Sequence, residues 1–348
     1  MQSISIKTHE DAIAAVPHLL GFHPAESLVL LPFSPQLPVV RVDIPVAAED
    51  RDALWNESLR DALSPHALRA GGQALMAVMC FTQDRSNGEA TSRNFTQRLG
   101  EIGIGVPVRL WTNGFVWSEF NSGDAGRCSQ QAADRMAAAG VVAGRLRPAE
   151  SREAMAATLV GDHEPVAAQL EPAYATAGTP DAEQEWALNR LDRFHSDGTR
   201  LTDRDAARLL VALQTTSTRD ALWEEMTCDN AGTHQSLWID ITRRAPNEVR
   251  APAASMAAFA SWLCGDGAKA WCALDQVPAD QSYSMAALVA GALDAGLPPS
   301  EWEHQRSLIT GLAAGLDESY TPGTTVSRSQ DRPPFSSQQT PDQHAPER

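Results

Sequence analysis

Hydrophobic and polar positions change rhythm near Ser122: before it apolar residues gather in short runs of strand length, and beyond it they recur at helical spacing. Ser27 to Phe33 (SLVLLPF) is almost continuously apolar and is bounded by Pro24 and by Ser34-Pro35, which predicts a strand buried on both faces. Val39 to Ile44 predicts a second strand and Gln73 to Phe81 a third. Val106 to Thr112, where Val106, Val108 and Leu110 alternate with Pro107, Arg109 and Trp111, predicts a fourth. Asn113-Gly114 leads on to Phe115 to Ser118 and predicts a type I′ hairpin, because both residues tolerate positive φ. Helices fit between the runs. Thr8 and Asp11 form a capping pair for His9 to about Leu20. Pro17 is expected to kink or shorten that helix, and Gly21 to end it in the left-handed conformation. Glu49 to Leu63 sets Ala53, Leu54, Leu59 and Leu63 on one face, and Glu89 to Ile102 turns Phe95, Leu99 and Ile102 inward. Residues 1–122 therefore read as an α/β domain with a mixed sheet of about five strands and flanking helices.

After Ser122 the pattern is helical. Gln130 to Ala139 and Ser151 to Leu159 predict helices of a connector over 123–180, with the Ala-, Pro- and Thr-rich stretch Glu164 to Pro180 expected as a flexible link. Caps become regular in 181–320. Thr202 with Asp205 opens a helix carrying Leu209, Leu210 and Leu213, and Thr218 is expected to open another carrying Leu222 and Met226. His234 to Arg243, Pro252 to Cys264, Ala268 to Gln276, Met285 to Leu293 and Glu301 to Leu316 continue the series, which predicts an α-helical hairpin domain. Residues 321–348 are rich in Pro, Ser and Gln without hydrophobic periodicity and read as a disordered tail. The fold class is thus α/β at the N-terminus and α+β overall.

Charge narrows the partners. The 348-residue chain carries a formal net charge of -16, with most of the excess after Ser122. An acidic surface repels phosphate backbones and anionic lipid heads, so neither nucleic acid nor a membrane is expected as partner. Only Arg243-Arg244 suggests a local basic patch, and it reads as a solvated helix end. Lys7 and Lys269 are the only lysines, a bias that points to GC-rich coding. Cys80, Cys128, Cys228, Cys264 and Cys272 are odd in number and form no Cys-x-x-Cys pair, so free thiols in a reducing cytoplasm are expected, with no metal site. The first apolar run has no basic leader before it and is interrupted by Pro17, His18 and His23, so no signal or anchor is expected there.

The run Ala14-Ala15-Val16-Pro17-His18-Leu19-Leu20-Gly21-Phe22-His23-Pro24, then Ser27-Leu28-Val29 and Arg41-Val42-Asp43-Ile44-Pro45, resembles the opening signature of the domain of unknown function 4192 family. Ala143-Gly144, Ser151-Arg152-Glu153, Ala245-Pro246, Trp262, Gly265-Asp266-Gly267 and Gly296-Leu297-Pro298-Pro299 extend the resemblance, which covers roughly Ile4 to Trp302. It implies a cytoplasmic bacterial protein, mainly actinobacterial, with no assigned activity. It also implies a cysteine cluster after Trp117, and there this chain departs from the pattern, since only Cys128 lies in that region.

Catalytic motifs are missing. There is no His-Glu-x-x-His, Walker loop, Gly-x-Gly-x-x-Gly or Gly-x-Ser-x-Gly, and no cofactor is expected. Gly265-Asp266-Gly267-Ala268-Lys269 lacks the spacing and context of a phosphate loop and reads as a turn between helices. His195-Ser196-Asp197 reads as a helix end with a capping turn, because adjacent side chains do not line up as a relay. Trp262 to Pro278 resembles one helix-turn-helix unit of a tetratricopeptide repeat, without a second copy. Trp186, Trp223, Trp238, Trp262, Trp271 and Trp302 are expected mostly as packing between helices. The ligand-binding candidates are His23, Glu26 and Ser27 in the first turn with Arg41 and Asp43 on the next strand, alternate residues that share a strand face. The first expectation is a non-catalytic protein that binds a small polar ligand or a protein partner. The competing one is an enzyme for a small polar metabolite at the His23/Ser27/Arg41 turn, which requires those three side chains to face one pocket.

Overall fold

The computed structural model describes residues 5–33 and 37–304. Six strands form one sheet: β1 (Ser27–Pro32), β2 (Val40–Asp43), β3 (Leu75–Phe81), β4 (Gly105–Thr112), β5 (Val116–Glu119) and β6 (Ala125–Arg127), in the order β2-β1-β3-β4-β5-β6. β1 is paired on both sides, antiparallel to β2 and to β3, and among the described strands β3 and β4 are the parallel pair. A parallel pair needs a crossover, which α4 (Arg85–Glu101) supplies from an Asp84 cap. The continuous apolar run of β1 follows from burial on both faces. Leu28 and Leu30 join Met76, Val78 and Trp111 in one apolar cluster, while Val29 and Leu31 join Ala77, Met79 and Leu110 in the other.

The first cluster is closed by α4 and by a long helical run, α2 (Ala48–Leu54), a π-helical turn (Trp55–Leu59) and α3 (Arg60–Arg69). Leu59 and Leu63 point inward as the spacing predicts, but Ala53 is exposed and Trp55 is buried in its place. The π turn adds a residue to the local period, and this rotates the buried face away from the strict 3.6-residue reading. On the other face lies α1 (His9–Leu20). Thr8 caps it by accepting from the Asp11 N–H, and Gly21 ends it at φ 78°. The helix runs through Pro17 to Leu20 instead of stopping short.

Two further features differ from the sequence reading. The Asn113-Gly114 loop is not type I′, since Glu26 is the one non-glycine residue with positive φ among the described residues. Asn113 instead accepts the N–H groups of Phe115 and Val116 on its side-chain oxygen, across a loop between the paired Thr112 and Trp117. The sheet has a sixth strand, β6, beyond the five expected. A Cβ at Gly126 would sit 2.9 Å from the Trp117 ring, so glycine lets this short strand approach β5.

The rest is helical: α5 (Gln130–Val142), α6 (Arg152–Ala157), α7 (Glu164–Thr176), α8 (Pro180–Asp197), α9 (Asp203–Ala212), α10 (Thr216–Glu224), α11 (Ala231–Arg244), α12 (Asn247–Leu263), α13 (Gly267–Leu274) and α14 (Ser284–Asp294). Every residue from Ala251 to Leu263 is buried. A helix buried all round is a core helix, and its alanines let α11, α13 and α14 pack close. The stretch expected as a flexible link is α7, held by buried Val166, Leu170 and Ala173. Thr218 lies buried inside α10, which starts earlier than the pattern implied. Arg244 is not solvated. It is 5% exposed and donates to the Leu201 carbonyl at 3.0 Å and to Asp203 and Asp240.

The sheet-side cluster around Val16 and Met79 continues into Trp238, Met256 and Val289. The described residues up to His304 form one compact unit, and its sheet extends past Ser122 through β6. No helix among the described residues is long and apolar enough to cross a membrane. Most of the Glu301 to Leu316 helix and the 321–348 tail fall outside the described residues.

Candidate functional site

Gly21 turns the chain out of α1 against other elements. A Cβ there would lie 2.7 Å from Met155 Cε and 3.7 Å from Asp266 Oδ1, so α6 and the α12–α13 loop meet at this bend. Phe22 forms an isolated parallel bridge to Ala149. The Ala149 N–H donates to the Gly21 carbonyl at 2.8 Å, and the His23 N–H to the Ala149 carbonyl at 3.0 Å. These bonds fix the α5–α6 connection to the start of β1.

The five candidate residues take different places around the bend. Ser27 is wholly buried; its hydroxyl donates to the Ala25 carbonyl at 2.8 Å and accepts from Arg41 Nε at 2.9 Å. Arg41 also pairs with Asp43 at 2.6 Å, and its guanidinium lies 5.8 Å from the Phe22 ring centroid. Glu26, at φ 43°, sends its carboxylate away to the end of β3, where it accepts from Thr82 Oγ1 at 2.6 Å and from the Gln83 N–H at 3.2 Å. His23 is exposed. Ser27, Arg41 and Asp43 are thus brought together, and Glu26 and His23 are not. Of the five, Arg41 alone lines the cavity at this end of the sheet.

That cavity is a cleft of about 570 Å3, within the usual range for small-molecule sites. One part of its lining is β2 with Val39 and Arg41, together with Leu20 and Phe22 from the bend. Arg145 and Arg152 come from the α5–α6 connection and the first turn of α6. Leu59, Ala62, Leu63 and His66 come from the π turn and α3, and Trp262, Gly265, Ala268 and Trp271 from α12, α13 and their loop. Asp294, Gly296, Leu297, Pro298 and Pro299 complete it.

The residues after α14 are held firmly. Trp262 Nε1 donates to the Leu297 carbonyl at 2.9 Å, and His66 Nε2 lies 2.9 Å from the Ala295 carbonyl. Gly296 has φ 58°, and a Cβ there would press on Pro38 at 3.0 Å and His66 at 3.3 Å, so this close crossing requires glycine.

The cleft lining carries three arginines and one aspartate in a chain of net charge -16. Arg145 donates to the His18 carbonyl at 3.2 Å and Arg152 to Asp275 at 2.7 Å. The bond to Asp275 raises the pKa of Arg152. His18 is held below the ordinary imidazole range by burial and by the positive charges of His23 and Arg145. Glu153 is held below the usual carboxylate range by the Ser151 hydroxyl and, in part, by Arg41. Arg41 and Arg152 are each paired with a carboxylate outside the lining, Asp43 and Asp275.

Cys264 and Cys272 sit on the α12–α13 segment that borders the cleft, without lining it. Burial pushes the Cys264 thiol up to about 11 and raises Cys272, and in the sheet it pushes Cys80 up to about 12. These groups are thiols at neutral pH. Among the described residues, no group of three or more His, Cys, Asp or Glu is placed to hold a metal ion.

Arg145, Arg152 and Trp271 were not singled out as site residues by sequence reasoning, because they reach the cleft through contacts distant in the chain. Arg152 alone of the three lies in a scattered match, Ser151-Arg152-Glu153, which with Trp262, Gly265-Asp266-Gly267 and Gly296 to Pro299 supplies residues to the lining. A search of curated proteins found no match, and a search of solved structures found none. A family model described as Domain of unknown function (DUF4192) matches residues 10–300, and the chain belongs to that family.

Proposed function

We propose that this chain is a non-catalytic binding or regulatory protein whose small polar ligand occupies the cleft between β2, α3 and the α12–α14 helices. The observation that supports the reading is convergence: residues from several of the segments that resemble the family signature, Phe22, Arg41, Arg152, Trp262, Gly265 and Gly296 to Pro299, line one cavity of ligand size. Free cysteines and the resemblance further support a cytoplasmic, actinobacterial protein.

The reading is tested by a thermal-shift screen of polar metabolites on the wild type and on Ala62→Trp, which fills the cleft from α3. A ligand specific to the native site raises the melting temperature with concentration. The expected result is a metabolite that stabilises the wild type and leaves Ala62→Trp unmoved. Equal stabilisation of both proteins contradicts the site. The enzyme alternative rests on the His23/Ser27/Arg41 turn, where Ser27 is spent on Ala25 and Arg41 and His23 does not line the cleft. Turnover of a metabolite that disappears in a folded His23→Ala variant would favour that alternative.

A further inference from the structure

We infer that the ligand of this cleft is an amphipathic organic anion, in which a carboxylate, sulfonate or phosphate group is joined to an apolar body. The inference rests on the reading of the cleft as a ligand site and adds the chemical class. Its basis is the uneven composition of the lining. The arginines come from β2 and from the connection into α6, whereas the π turn, α3 and the residues after α14 supply Leu59, Leu63, Leu297 and Pro298.

Three positive groups in one cavity of an acidic protein require a reason. Arg41 is accounted for by Ser27 and Asp43. Arg145 and Arg152 are less committed. Arg145 donates one N–H to the His18 carbonyl, and Arg152 pairs with Asp275, whose side chain is 49% exposed. A guanidinium has five N–H donors in a planar fork, a geometry matched to carboxylate and phosphate oxygens. The Arg145 and Arg152 side chains reach one cavity from one connection, so their remaining N–H donors are available to a shared anionic group. Asp294, from the end of α14, is the one carboxylate in the lining. It disfavours a ligand that is anionic at both ends and suits one whose far end is apolar or a hydrogen-bond donor. A purely inorganic anion would leave the leucine and proline surface wet, and a neutral apolar guest would desolvate the arginines without compensation.

The test uses two dyes of nearly the same shape, the anion 1-anilinonaphthalene-8-sulfonate and its neutral parent N-phenyl-1-naphthylamine. Each is titrated by fluorescence against the wild type, Arg152→Gln, Arg152→Lys and Ala62→Trp, with circular dichroism and the melting temperature confirming that every variant is folded. Saturable binding of the anionic dye is expected. It should weaken about tenfold in Arg152→Gln, the size of one charged hydrogen bond, recover in part in Arg152→Lys, and disappear in Ala62→Trp. The neutral dye should bind more weakly and be indifferent to Arg152→Gln. If both dyes bind alike and only Ala62→Trp removes them, the anion class is overturned while the cleft stands as a ligand site. If binding of both is absent, or survives Ala62→Trp, the cleft reading is overturned as well.

Discussion

Arg244 and Arg152 sit in the same helical part of the chain and do opposite work. Arg244 is almost wholly buried and donates to the Leu201 carbonyl, Asp203 and Asp240. Arg152, 36% exposed, has one carboxylate partner at the rim of a cleft. The first is an internal fastener held by two carboxylates and a carbonyl, and the second is the rim arginine proposed to meet a ligand. The Trp residues divide less cleanly, since Trp262 is buried, donates to the Leu297 carbonyl and still lines the cleft. Trp238 is wholly buried and Trp223 stacks on Trp302 at 5.3 Å, while Trp271 is half-buried and lines the cleft. Residue type therefore does not tell an arginine of the helical core from one at the cleft rim; burial does.

Truncation gives the largest contrast. Arg244→Ala leaves two carboxylates and a carbonyl facing each other, and should cost about 3 kcal/mol in urea denaturation, as for broken buried ion pairs. A loss below about 1 kcal/mol would place Arg244 with ordinary surface arginines. Acid comes next and tests the same helical core. His234 is wholly buried, edge-on to His195 at 4.4 Å, and its pKa is lowered to about 3 by burial and by the His195 charge. The unfolded chain takes up this proton near pH 6.5, so it binds more protons than the native state. Stability is then full above about pH 6.5 and declines as pH falls toward 3, by about 2 kcal/mol at pH 5. Melting temperatures from pH 7 to pH 4.5 should show this slope, and a folded His234→Leu variant should flatten it. An unchanged slope in the variant assigns the loss to other groups.

Gly296→Ala sharpens the comparison at the cleft. Left-handed backbone costs a non-glycine residue about 1–2 kcal/mol, and the new methyl meets Pro38 and His66. The expected outcome is a modest drop in melting temperature together with weakened dye binding. Retention of full binding would show that the 295–299 segment is not a wall of the site. The smallest effect belongs to Arg152→Gln without ligand, less than about 1 kcal/mol as for an exposed ion pair, measured by the same denaturation. A larger loss would make Arg152 a second Arg244.

Much of the fold was legible because its signals are local. The Thr8 cap, the left-handed Gly21 and the doubly buried SLVLL run need only neighbouring residues for their recognition. The π turn was not legible, since adding one residue to the local period is decided by how Trp55 packs against Phe95, with ring centroids 6.3 Å apart. β6 was missed because three residues around a glycine carry no pattern of their own, and α7 because Ala, Pro and Thr gave a composition signal that buried Val166 and Leu170 outweigh. At the site, Arg41 was legible as the strand neighbour of a tight bend. The rest of the cleft is assembled from segments far apart in sequence, joined by bonds such as His23 N–H to the Ala149 carbonyl and Trp262 Nε1 to the Leu297 carbonyl. No periodicity foretells such pairings.

Hydrogen–deuterium exchange with and without saturating 1-anilinonaphthalene-8-sulfonate tests the central claim most directly. The account predicts that exchange slows together in three separate stretches, 143–153, 265–271 and 296–299, and that the α8–α10 helices are unaffected. Protection confined to one of these stretches, or appearing only on α8–α10, would contradict a single cleft built by all of them.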